Sequence, residues 1–299
     1  MGLGYEGWIR VASPVGGEQY ALGTGTAVPR ARQRLESASG YGGQIDSPPA
    51  EIGIGLPHNY DWDQYDGSLS FEVEEDFYDY VIFEWLFDRQ SPGTVKFASR
   101  HDALQEFDQS FWTSISISAA EGAAVEGSLG FYAIDRDTYS YGNNYWDNPS
   151  AVKEGNSDGS TTETVICTSG GIPAFDSDVN LHPIPYWATR IDAGGGPIEF
   201  VNWNLDFAQD VVRFFACEAN TTVQEPKYLA VGPMVATFGG SYMLGSGFLG
   251  DDILSLSVYV GNKELQLKRL EATTESDDVQ SADALVPLTV EYAAYEIGR

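Results

Sequence analysis

The sequence predicts a mostly β fold with flanking helices, built as two tandem copies of one β-sandwich or barrel domain. Three observations predict it. Stretch after stretch alternates polar and apolar residues, the period of a strand with one face in a core and one in water. The composition, with 33 Gly, 17 Tyr, 15 Phe and 7 Trp among 299 residues, suits strands and tight turns. One pattern, finally, occurs twice.

That pattern spans 68–84. Residues 68–74 (SLSFEVE) alternate, an acidic turn follows, and Phe77, Val81 and Trp85 then stand four apart, as do Tyr80 and Glu84, which predicts a helix. Shifted by 134 residues, Leu69 meets Trp203, Phe71 meets Leu205, Glu72 meets Asp206, Asp76 meets Asp210, Phe77 meets Val211 and Glu84 meets Glu218, without a gap. A second strand and a second helix, 209–219, are therefore expected. The implied division is a first repeat at 1–134 with a long arm at 23–67, a polar connection at 135–197, and a second repeat at 198–299 with an inserted hairpin at 228–250.

In order, residues 8–12 read as a short strand closed by Pro14 and the glycines 16–17, and the Gly/Pro/Ser-rich 23–67 reads as an arm lying on a neighbour. Arg30, Arg32 and Arg34, the one basic cluster, would share a side of an extended segment and face either a neighbouring subunit's carboxylates or solvent. Residues 94–97 read as a strand, 111–118 and 128–134 as a hairpin, and 186–191 as a strand within the connection. Residues 198–207 open the second half, 253–260 and 264–268 form a strand pair around Gly261 and Asn262, and 270–274 with 285–295 repeat the first hairpin.

Charge narrows the function. With 44 Asp and Glu against 16 Lys and Arg the formal charge is −28, which repels phosphates and argues against free nucleic-acid binding. Such repulsion suits a channel through which DNA slides; a solvated surface in a salty cytoplasm has the same composition. No long apolar span and no basic, apolar leader is expected to insert in a membrane, and Glu6 stands where a myristoylation signal needs Ser or Thr.

Catalytic and metal chemistry is not expected, nor is a cofactor. His58, His101 and His182 are dispersed in loop-like text, and Cys167 and Cys217 have no metal or redox spacing. Asp61, Asp63 and Asp66 miss the spacing of a calcium loop, and the pair Gly23 and Gly25 lacks the rest of a dinucleotide turn. Carboxylate pairs such as Glu72 with Glu74, or Glu291 with Glu296, arise freely among so many acids.

The outward faces of the strands carry the one specific signal. Ser68, Ser70, Glu72, Glu74, Ser114, Ser116, Ser118, Ser128, Asn202, Asn204, Asp206, Glu271, Thr289 and Glu291, with Gly130 and Thr273, are small, polar or acidic, and none is basic. A smooth face of this kind suits the lining of a pore better than a ligand pocket, which needs aromatic walls; an ordinary solvated face is the plainer reading.

Residues 59–74, the helix after them, the hairpins near 111–134 and 268–297, and the ending 285–292 (LVPLTVEY) resemble the major tail tube protein of long-tailed bacteriophages and related archaeal viruses. The likeness is one of pattern and leaves out 135–197 and 228–250. It implies a structural virion protein in the viral tail, assembled in the host cytoplasm from rings that stack into a tube. A doubled fold implies three chains per ring with pseudo-sixfold symmetry. The partners it implies are further copies of the chain, the tail terminator and baseplate proteins, and viral DNA passing without sequence-specific binding, with the polar faces above turned to the lumen. The alternative is a carbohydrate- or receptor-binding tail-tip or baseplate β protein that stacks sugars on aromatics such as Tyr145 and Trp146.

Overall fold

The computed structural model describes residues 7–27, 32–34, 61–63, 65–99, 104–141, 150–153, 164–166, 183–193, 196–215, 223–224, 226–243, 254–276 and 287–299. Most of them are strands. β1 (Gly7–Ser13) and β2 (Gly17–Ala27) form a hairpin whose turn holds Gly17 at φ 74°, a left-handed conformation natural to glycine. β3 (Arg32–Arg34), β4 (Asp61–Asp63) and β15 (Val223–Gln224) make a separate three-stranded sheet.

The main sheet has sixteen strands. Its first part comprises β5 (Tyr65–Glu72), β6 (Gly93–Ser99), β7 (Leu104–Ala120) and β8 (Glu126–Ala133), together with β1 and β2. Following the pairings β7-β6-β1-β2-β5-β8 leads back to β7, because the 17-residue β7 pairs with β6 near its start and with β8 near its end. β8 runs on through Ile134 into β9 (Asp135–Tyr141), which pairs with the start of β7, and β10 (Ser150–Lys153) and β11 (Thr164–Ile166) extend that edge.

The second part is an open antiparallel run leaving the far edge of β7. It contains β14 (Phe200–Phe215), β16 (Pro226–Met243), β19 (Pro287–Gly298), β18 (Lys263–Ser276), β17 (Ser255–Val260), β12 (Thr189–Ala193) and β13 (Gly196–Ile198), in that spatial order. The expected hairpins at 111–134, 253–268 and 270–295 are all present, as β7–β8, β17–β18 and β18–β19.

One helix, α1 (75–87), enters through the acidic turn, with Glu75 and Asp76 in its first turn. Two α-helical stretches, Glu75–Phe77 and Phe83–Phe87, flank a π-helical turn at Tyr78–Ile82. Phe77, Val81 and Trp85 are completely buried while Tyr80 is exposed, as the spacing predicts. The Trp85 indole donates to the Ser91 carbonyl at 3.2 Å, and the Trp112 indole donates to the Trp85 carbonyl at 3.1 Å, so the helix is bolted to β7. It also touches the second part: Lys263 and Arg299 lie over the Phe83 ring at 5.3 and 5.6 Å, and Arg299 pairs with Glu84 at 3.0 Å. A single apolar cluster joins Phe71, Ile117, Trp85, Leu205, Phe238 and Val258.

Four expectations are corrected. Residues 209–215 continue β14 as strand, so over that span the second helix is not formed. Val211 and Val212 are β-branched and favour extended backbone, and the facing strand β16 supplies hydrogen-bond partners along their whole length. Beyond Glu72, by contrast, regular pairing with β8 ends, since Glu72 pairs with Glu126 at its start, and only Val73 and Glu74 find further partners, at Val125 and 183–184. Residues 228–243 are no inserted hairpin but most of β16, a central strand between β14 and β19. The connection 135–197 is partly in the sheet, through β9 and β12, and within it Tyr186–Ala188 is a 3-10 turn that precedes the strand. The start of the supposed arm, up to Ala27, belongs to β2.

Candidate functional site: a small-residue polar face

Apart from Glu74, the polar residues singled out above fall on one face of seven neighbouring strands, β5, β8, β7, β14, β16, β19 and β18. Their registers line up in rows across the strands. One row runs Ser70, Ser128, Ser116, Asp206, Thr237, Ala293, Glu271. Its neighbour runs Glu72, Glu126, Ser118, Asn204, Gly239, Glu291. Ser68, Gly130, Ser114, Ala208 and the exposed Val235 form a third, and Asn202, Ser241 and Thr289 a fourth. The rows cross from β7 to β14 without a break, so one face extends over both parts of the sheet.

These strands alternate in and out of the sheet, so each exposed residue has a buried neighbour. Leu69, Phe71, Ile115, Ile117, Leu129, Trp203, Leu205, Phe207, Phe238 and Val290 are all at most 3 % exposed. The polar face itself is tied sideways by short side chains. The Ser116 hydroxyl donates to Asp206 across the β7–β14 seam, and Asn204 Nδ2 donates to the other Asp206 oxygen at 2.6 Å. The Ser241 and Thr289 hydroxyls meet at 3.2 Å across β16 and β19, and Thr273 Oγ1 donates to the Glu291 carbonyl at 3.2 Å.

Five carboxylates, Glu72, Glu126, Asp206, Glu271 and Glu291, stand in these rows, and no Lys or Arg does. Arg269 precedes them on β18 but leaves the alternation at φ 54° and turns to Glu296 at 3.4 Å.

Thirteen of the fourteen residues proposed for the face are exposed or half-buried. Glu74 is the exception and is corrected: it is 5 % exposed, bridges to Pro183 and sits past the end of β5, where the chain turns into α1. Sequence reasoning missed Glu126, Thr237, Gly239 and Ser241. Residues 237–242 (TFGGSY) do alternate, but the adjacent glycines 239 and 240 hide the period.

Arg30, His58, His101, His182, Cys167, Cys217, Tyr145 and Trp146 lie outside the described residues. Arg32 and Arg34 are register partners of Asp63 and Asp61 on β4 of the same chain. Asp61 and Asp63 thus belong to a strand. Among the described residues no cluster of His, Cys, Asp and Glu could hold a metal ion, and no helix is long and apolar enough to cross a membrane.

No protein-family model matches the chain, and no curated protein matches it. The polar face therefore stands on its own geometry.

Where β14 passes Ala208 it leaves β7, and Gln209 Nε2 donates to the Trp112 carbonyl at 2.5 Å at the point of departure. From there 209–215 and 226–234 form a two-stranded ribbon with no third strand among the described residues. Val212, Phe214 and Tyr228 are exposed on it, and the rings of Phe214 and Tyr228 meet at 5.5 Å. Arg89 Nη1 donates to the Gly232 carbonyl at 2.5 Å, fixing the base of the ribbon to the residues after α1.

Proposed function

We propose that this chain is a structural subunit of a viral tail tube, assembling into stacked rings whose inner wall is the polar face. The observation that carries the reading is the set of rows crossing from β5 towards β18, mostly small, polar or acidic with exposed Val235 and Tyr295 the larger side chains, and with no basic residue in them. A wall of hydroxyls, amides and carboxylates offers DNA phosphates nothing to bind, so a passing genome does not stick. The mechanism is passive, with no catalytic residue and no cofactor.

Two features support assembly. The ribbon exposes apolar side chains and strand edges that no third strand covers among the described residues, which in a lone molecule invite association and in an assembly are covered by a neighbouring subunit. The face spans both parts of one chain, as a ring of three chains with pseudo-sixfold symmetry requires, and the tandem tube units belong to the same proposal. Stacking of rings head to tail is an open-ended contact and yields a filament. Further copies of the chain and the proteins capping the tube ends are the expected partners, and the virion tail the expected place.

Negative-stain microscopy of the purified chain tests this. Rings or tubes with a stain-filled bore are expected, and in a reconstruction Ser116, Asp206 and Glu291 line that bore. A monodisperse monomer at high concentration, or rings with these residues on the outside, overturns it.

A further inference from the structure

Away from the polar face, a cavity of about 440 Å³ opens between the turn after β7, the 3-10 turn, the β12–β13 hairpin and the start of β14. Its volume lies in the ordinary range of small-ligand sites. Trp203, 3 % exposed, is one wall, and its indole donates to Thr189 Oγ1 at 3.3 Å. Tyr186 forms another, its hydroxyl donating to the Phe200 carbonyl. Trp187 stands at the mouth and is 83 % exposed, although it lies on an ordered turn whose Tyr186 N–H donates to the Ala123 carbonyl at 3.0 Å. A large indole held in water beside a cavity has no role in packing this chain.

The charge of the cavity is set by three residues. Glu121 and Glu199 are exposed and line it, and the Glu121 N–H donates to the Val201 carbonyl at 3.1 Å, which fixes that turn against β14. Burial chiefly, then the fields of Glu121 and Glu199, raise the Tyr186 hydroxyl above its ordinary pKa, so both carboxylates act on the same ring. Arg190, the one cation in the lining, is already engaged: it pairs with Asp192 at 2.9 Å and lies over the Tyr259 ring at 4.2 Å, on the β17 side of β12 and away from β13.

We infer that this cavity binds an organic cation with an apolar stem, an alkylammonium or guanidinium group, held against the Trp187 face between the carboxylates of Glu121 and Glu199. Indole faces attract cations, and the flanking carboxylates set the sign of the charge accepted. A neutral sugar gains the stacking but leaves both carboxylates without a counter-charge. The inference is independent of the tube reading, since the cavity lies off the polar face.

The test is titration of the full-length chain, followed through the Trp187 indole N–H resonance, which is identified by its absence in Trp187→Ala. Nα-acetyl-arginine methyl ester, whose only charge is the guanidinium, is expected to shift that resonance saturably, while Nα-acetyl-citrulline methyl ester, its uncharged counterpart, is not. By ligand-observed saturation transfer, affinity falls about tenfold in Trp187→Ala and about threefold in Glu199→Gln. Two further probes separate the sources of the cation. Tighter binding of an acetyl-Gly-Arg-Gly amide points to a basic side chain of a polypeptide, and tighter binding of tetramethylammonium to a free onium ion. Equal shifts with the citrulline and arginine esters, competition by maltose at equal strength, or no saturable shift with any cation overturns the proposal.

Discussion

The stretches 68–87 and 202–215 begin alike and end differently. Both open with a strand that contributes to the polar face, and Ser70 and Asp206 lie in the same row. After Glu72 the chain coils into α1 and buries Phe77, Val81 and Trp85. After Ala208 it runs straight on as strand and leaves Val212 and Phe214 in water. Similar residues in similar register do not fix the outcome; the availability of a partner strand does. β16 extends alongside 209–215, whereas β8 begins level with Glu72, and beyond it the chain finds only the Val125 carbonyl for Val73 N–H and short pairings with 183–184 before it coils. α1 then packs on both parts of the sheet, so the core is shared.

Truncating that helix is the severest way to probe the sharing. Trp85→Ala removes a completely buried indole and is expected to cost about 3–5 kcal/mol in denaturant unfolding. If the core is common, the whole chain unfolds in one weakened transition; two transitions, only one of them shifted, would break the comparison.

Smaller losses are expected at glycines against which aromatic rings pack. A Cβ on Gly127 would lie 2.6 Å from Phe71 Cε2, and on Gly240 2.5 Å from Phe200 Cδ1. Gly127→Ala and Gly240→Ala should each cost about 1–3 kcal/mol, measured by the same unfolding curves, because each forces a buried ring to move. Comparable losses at the two sites support a core packed to one density in both parts; a neutral Gly240→Ala would mark the second part as looser.

The ribbon should behave oppositely. Val212→Ser with Phe214→Ser is expected to change monomer stability by less than about 0.5 kcal/mol per site, as exposed positions do. Sedimentation should nonetheless show less assembled material, which separates a surface made for a neighbour from one that merely lacks cover.

The slightest effect belongs to Asp79, on the π turn of α1. Burial raises its carboxyl pKa, Lys263 opposes the rise, and Glu75, Asp76 and Glu84 add to it. Its folded-state pKa therefore lies above the unfolded one, so its stabilising contribution is complete below the unfolded carboxyl range and is lost as pH rises through the folded value. Asp79→Asn should raise Tm slightly at neutral pH, and that gain should vanish as the pH falls below the carboxyl range. A gain that persists in acid would assign the effect to shape instead.

Much of this was legible in the residues. Alternation located β5, β7, β8, β14, β17 and β19, because burying one side of a strand needs a period of two whatever it pairs with. The spacing of Phe77, Val81 and Trp85 located α1 for the corresponding reason. β16 was misread because Gly239 and Gly240 carry no side chain to mark a face, and β2 because its glycines resemble a loop. Glu74 was misplaced because alternation continues in the text one step past the point where the strand stops. The cavity beside Trp187 draws its walls from segments near 121, 186–191 and 197–203, and no local pattern announces their meeting.

The sequence by itself determined which side of each strand is polar, since that is a property of neighbouring residues along one chain. It also determined the acidic sign of the surface. Only the tertiary structure decided which strands are neighbours, that the rows run on from β7 to β14, and that 209–215 extends instead of coiling. Those depend on backbone hydrogen bonds between residues distant in the chain, and a strand's polar side becomes part of a continuous wall only once the strand beside it is in register.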